Sequence, residues 1–207
     1  MLLEVCFDSE PGLRRAIAGG AGRLEVCARL DLDGLTPEDA LLAAAVATGV
    51  PCVAMVRPRG GSHVWAQAEH AQLAADLERV KRAGAAGVVL GALTADGEVD
   101  RALVARLVAA AAPLPVTFHR AFDGARDRFE ALEALVELGV RRILTSGGAS
   151  DAHAGRFELR RLVERAAGRI AILPGGGVRA HNAAAIVAAT GVDELHSSTP
   201  FALPSAA

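Results

Sequence analysis

Lysine is almost absent from this chain: Lys81 stands alone among 22 basic residues, and arginine supplies all the others. The one lysine falls near the end of a helical segment, on the side leading into the next strand, so Schiff-base chemistry at the strand ends is excluded. Cysteine is scarce as well. Cys6, Cys27 and Cys52 form no even framework, and a chain of 207 residues needs no disulfide staples, so reduced thiols are expected. No run approaches the ~18 consecutive uncharged apolar residues of a membrane span. Met1 leads into an acidic strand instead of a basic and then apolar signal segment, so a cytoplasmic location without a membrane partner is expected. The formal charge of -2 and pI near 6.3 arise from interspersed acids and arginines. Without a basic stripe there is no nucleic-acid surface, and the expected ligand is an ion or a small molecule.

What is present is a dense apolar framework, 52% of all residues, enough to bury the core of one domain over 1–207. Short apolar or alternating runs predict strands at 2–8, 23–28, 52–59, 87–93, 115–123, 141–147, 169–176 and 193–198. Between them, helical periods cover 9–19, 37–48, 67–83, 100–112, 127–138, 155–167 and 180–189. Several of these end in glycine, as in RAGAAG, ELGV and AATGV. Alternating strands and helices predict an α/β fold with a parallel sheet. Central strands of an open sheet read as continuous apolar runs, whereas several strands here alternate. Leu3 and Val5 oppose Glu4 and Cys6, Leu24 and Val26 oppose Glu25 and Cys27, and Val116 and Phe118 oppose Thr117 and His119. The pattern therefore favours a (β/α)8 barrel of eight parallel strands with a polar interior. The segment 199–207, TPFALPSAA, has two prolines and little room for an eighth helix, so the final helix is expected to be truncated or absent. The seam between last and first strands would then be covered by a partner subunit in a homodimer or higher homo-oligomer.

The alternation sends Glu4, Cys6, Glu25, Cys27, Arg57, Thr117, His119, Glu194 and His196 into the interior, joined by the loops RPRGG, HRAFD, TSGG and PGGGVR. Strand carboxyl ends are the functional face of such a barrel. Inward charges must pair with one another or meet a ligand, so a structural ion-pair network is the alternative to a site. Ser146, Gly147 and Gly148 after strand six, and Gly175, Gly176 and Gly177 after strand seven, are candidates to cradle an anion with Arg57 and Arg120, or else merely turn tight loops. Asp123 and Glu4 would join Glu194 and His196 around the pocket. Cys6 and Cys27 occupy equivalent places on consecutive strands and would form a soft pair for Cu(I) or Zn(II), or else fill the core. Cys52, of opposite parity to Arg57, should face a helix. His63, His70, His153 and His181 fall in loops or helices with polar neighbours and are expected to be solvated; Trp65 is a candidate ligand cap or a surface packing residue.

The motifs LEVC (3–6), RLEVCA (23–28), GLTP (34–37), VRPRGG (56–61), VTFHRAFD (116–123), LTSGG (144–148), GGGVRAHN (175–182) and ELHSS (194–198) resemble, in order and across nearly the whole chain, those of the CutC family. The resemblance implies a TIM barrel and a role in cytoplasmic copper homeostasis, with Cys6 and Cys27 matching the barrel cysteines suggested as Cu(I) ligands. No organic cofactor is expected. The alternative is a barrel enzyme of lyase or isomerase type acting on a small, phosphorylated or otherwise anionic metabolite, with His119 and Glu25 moving protons and Arg57 clamping the anion.

Overall fold

The computed structural model describes residues 1–198. Strand and helix alternate throughout: β1 Leu2–Phe7, α1 Glu10–Ala18, β2 Arg23–Val26, α2 Asp39–Ala47, β3 Cys52–Met55, α3 His70–Arg82, β4 Gly87–Leu90, α4 Arg101–Ala111, β5 Val116–Phe118, α5 Arg128–Glu137, β6 Arg142–Thr145, α6 Arg156–Ala166, β7 Ala171–Pro174, α7 Ala180–Thr190 and β8 Glu194–Ser198. Side-chain caps start several helices. The Ser9 side chain accepts the Gly12 N–H, Asp100 that of Leu103, and Asp127 those of Phe129 and Glu130. Gly191 ends α7 at φ 73°, a left-handed turn that the AATGV signature predicts.

All eight strands are parallel, in the order β7-β6-β5-β4-β3-β2-β1-β8. The barrel is nearly closed. Strands β1 and β8 pair from Leu2↔Glu194 to Cys6↔Ser198, so the first and last strands are joined, and among the described residues the break in the ladder falls between β7 and β8, which adjoin without pairing. The truncated eighth helix concerns 199–207, outside the described residues. The predicted fifth strand is also shortened: after Phe118 the chain turns into a short 3-10 helix, Arg120–Gly124, whose start is capped by His119 Nδ1 accepting the Ala121 N–H at 3.1 Å.

Two apolar layers follow from the strand parity. The outward residues Val5, Phe7, Leu24, Val26, Leu90, Phe118 and Ile143 pack against Leu42, Leu73, Leu77, Leu103, Leu132, Leu135 and Leu159 of the helices, each such burial contributing roughly 1.5–3 kcal/mol. A smaller cluster of Cys27, Val53, Met55 and Val89 plugs the barrel interior on the β2 to β4 side. Much of the remaining interior is polar, with Glu4, Arg23, Glu25 and His196 buried there.

Loop packing at the strand ends is tight. A Cβ added at Gly155, the residue before α6, would lie 1.9 Å from the Ser146 carbonyl oxygen. Gly155→Ala should therefore destabilise by about 2–3 kcal/mol through forced backbone movement. A melting temperature within a degree of the parent would show that this loop yields freely.

Candidate functional site

Strand ends from every strand except β4 converge on a cavity of about 480 Å³ at the carboxyl face, lined among others by Cys6, Glu25, Met55, Arg57, His119, Leu144, Gly176 and His196. Its polar half is set by sheet register. Parallel pairing puts Cys6 beside Glu25 and Ser198, and Glu4 beside Arg23 and His196. The result is a buried trio: one donor atom each from Cys6, Glu25 and His196 lies within 4.8 Å of the others. His196 Nδ1 faces the Glu4 carboxylate at 2.7 Å, and a carboxylate only accepts, so the ring donates from Nδ1, which also lies 3.9 Å from Glu25 Oε2. Glu25 Oε2 is buried without a hydrogen-bond partner.

Burial is the largest single influence on this trio and its neighbour, yet neighbouring charges decide the direction for Glu4 and His196. Burial would raise the Glu4 carboxyl, but His196 and Arg23 outweigh it and hold that group down to about 2. Burial raises Glu25, to about 7, with Glu4 adding to the rise while His196 and Arg23 oppose it. Burial also raises the Cys6 thiol against the pull of His196. His196 itself is raised well above the ordinary imidazole value, because Cys6, Glu25 and Glu4 together overcome its desolvation.

Below the trio lies an ion-pair network at the amino-terminal end of the barrel. Arg23 donates to Glu4 and, at 2.6 Å, to Glu194, while Arg142 donates to both Glu194 oxygens at 2.9 and 3.2 Å. Glu4 and Glu194 thus serve the structural alternative and do not line the cavity, because each sits nearer the start of its strand than the cavity floor. Arg23 and Arg142 were not singled out from the sequence. For Arg23 the signal was there: it shares the inward parity of Glu25.

The two cysteines expected to act together differ in their surroundings, although Cys6 lies close enough to help raise the Cys27 thiol. Cys27 belongs to the apolar plug, is fully buried, and donates its S–H to the Phe7 carbonyl at 3.3 Å, with burial raising its thiol far above the ordinary value. Among the described residues the three-donor group contains Cys6 and not Cys27. Cys52 faces the helices as expected, its thiol pushed up to about 12 by burial.

Opposite chemistry marks the histidine side. His63, expected in solvent, lines the cavity with its ring centroid 4.8 Å from that of His119. Burial, then the Arg57 charge, lowers it to about 4, and burial takes His119 well below the usual imidazole value. Both rings are therefore neutral near pH 7. The oversight was one of loop position, since any β3 to α3 loop opens onto the carboxyl face. Trp65 is no lid: it is buried, and its indole N–H donates to the Gly91 carbonyl at 3.0 Å.

The loop after β6 is already occupied by an anion of the chain's own. Asp123 accepts from the N–H groups of Ser146 and Gly148 at 3.0 Å, from the Ser146 hydroxyl at 3.0 Å, from the Thr145 hydroxyl, and from Arg120 Nε at 2.9 Å. Gly147 donates to Thr145 Oγ1 at 2.9 Å. The expected cradle at Ser146, Gly147 and Gly148 is thus filled by Asp123, which caps the loop instead of lining the pocket. Gly175 donates to the Thr145 carbonyl at 2.9 Å and packs under His196, leaving Gly176 and Gly177 as the loop residues that line the cavity.

Fold and site together define a (β/α)8 barrel with a polar cavity at the carboxyl ends of its strands. The chain belongs to the CutC family, whose profile matches residues 1–200. It is 45% identical over 203 residues to a family protein CutC of Rhizobium meliloti (strain 1021), covering 98% of this chain and 83% of that protein. It is 43% identical over 198 residues to the human copper homeostasis protein cutC homolog, covering 95% and 72% respectively. A solved Streptococcus agalactiae structure described as copper homeostasis protein CutC superposes with a TM-score of 0.90 at 32% identity, covering 95% of this chain and 98% of that one. An aldolase, QR15, shares the fold alone, with a TM-score of 0.70 at 14% identity over 98% of this chain and 91% of the other.

Proposed function

We propose that the chain serves cytoplasmic copper homeostasis by taking up Cu(I) at Cys6 and His196, with Glu25 beside them. The observation that carries this reading is the convergence of one sulfur, one imidazole nitrogen and one carboxylate oxygen within 4.8 Å at the buried side of the cavity. The donor chemistry fits the ion: thiolate and imidazole are the soft and borderline ligands that Cu(I) prefers. The surroundings fit it too. Glu4 accepts from His196 Nδ1, the carboxylate-histidine arrangement that orients metal-binding imidazoles, so Nε2 would be the ligand nitrogen once the raised ring gives up its second proton. Glu4 is in turn held by Arg23, which keeps it ionised.

Uptake at neutral pH would release two protons, one from the Cys6 thiol and one from the His196 ring, which is held above the ordinary imidazole value, so binding should strengthen as the pH rises. Anaerobic titration against a competing Cu(I) chelator tests the reading. Cys6→Ser should weaken binding at least about 100-fold, beyond the loss expected for a group that only orients a ligand. Cys27→Ala should stay within about threefold of the parent, as befits a plug residue. Equal affinity of the parent and Cys6→Ser would sink the proposal.

A further inference from the structure

We propose that the same cavity also binds a small metabolite through an oxyanion, a carboxylate or phosphate, received by Arg57 with Arg120 and His119 beside it. Arg57 is the reason. It is only 3% exposed and lines the cavity, yet it makes no ion pair among the described residues. Its Nη1 donates to the carbonyls of Leu32 at 2.6 Å and Gly34 at 3.1 Å, and its Nη2 to that of Gly61 at 3.1 Å, while Nε has no partner. These carbonyls hold the guanidinium in place without neutralising it. The arginines of the barrel floor, buried Arg23 and partly buried Arg142, are both matched by glutamates, so an unmatched one is a departure from the chain's own pattern. An isolated buried charge costs several kcal/mol, and an anion arriving from the cavity would remove that cost.

His119 adds a second unmet donor. Its Nδ1 accepts the Ala121 N–H at 3.1 Å, which places the ring proton on Nε2, and Nε2 is buried with no acceptor. Arg120 lines the cavity from the solvent side while pairing with Asp123. The acids that face this region are Glu25, engaged near His196, and the exposed Asp33, which acts on Arg57 only at a distance beyond an ion pair. The volume of about 480 Å³ exceeds what a single ion needs and lies in the range of small-molecule pockets.

This inference stands apart from the copper reading and is tested on metal-free protein. Inorganic phosphate and, separately, malonate are titrated calorimetrically at ionic strength held constant with chloride. At least one probe should bind saturably, and the one that does tells phosphate from carboxylate. Arg57→Met should abolish that binding. Because Arg57 also ties three loop carbonyls, Arg120→Met provides the decision: it should fold as the parent does and bind about tenfold more weakly, the loss of one charge-assisted contact. No saturable binding of either probe by the parent, or unchanged affinity in Arg120→Met, would overturn the proposal.

Discussion

Replacing Glu4 with glutamine is expected to lower unfolding stability at pH 7 by about 3–5 kcal/mol, the usual result of breaking a buried charge pair. Glu4 is fully buried and is shared by Arg23 and His196, so its loss leaves both cations short of a partner at once. The pH dependence should change with it. Since the Glu4 carboxyl is held down to about 2 from 4.5, its contribution is fully present above pH 4.5 and disappears as the pH falls towards 2. His196, raised in the fold, contributes fully below its unfolded value of 6.5 and loses that contribution as the pH rises through its higher folded value. Glu25 works against stability as the pH climbs from 4.5 to about 7, because the folded chain keeps a proton there that the unfolded chain releases. Denaturant unfolding across pH 3–9 measures all three. A Glu4→Gln chain that matched the parent at pH 7 and retained its acid limb would show that the network does not hold the barrel floor.

Asp123→Ala should cost about 3–4 kcal/mol, since it strips a carboxylate from two loop N–H groups, two hydroxyls and Arg120. Those donors converge on one point, so the variant should regain part of its stability in formate or acetate, beyond any stabilisation the same anions give the parent, in which Asp123 occupies the place. Thermal melts with and without formate at fixed ionic strength distinguish the two cases. Equal formate responses in parent and variant would mean that the loop donors find other partners.

Much of the architecture was legible along the chain because it rests on local periodicity. Eight strand runs and seven helical periods could be read from alternation and from glycine endings, and the inward parity of Glu4, Cys6, Glu25, Cys27, His119, Glu194 and His196 followed from a period of two. Errors arose where a short-range pattern met a long-range partner. VTFHRAFD reads as one strand, yet it breaks after Phe118 because Asp123 is drawn to the loop after β6 and a 3-10 turn carries it there. His63 reads as solvated, yet the loop after β3 folds it against His119.

The sequence by itself therefore determined the barrel, its family and the set of polar side chains that point inward, since parity and order along the chain are local properties. Only the tertiary structure decided which of those side chains meet. Residues at the same height on neighbouring strands become partners through register, which no single strand encodes. Register joined Cys6 to Glu25 and His196, while Cys27 sits in the apolar plug. It sent Glu4 and Glu194 to the floor with Arg23 and Arg142, while the loop after β3 set Arg57 beside the cavity with no ion-pair partner among the described residues.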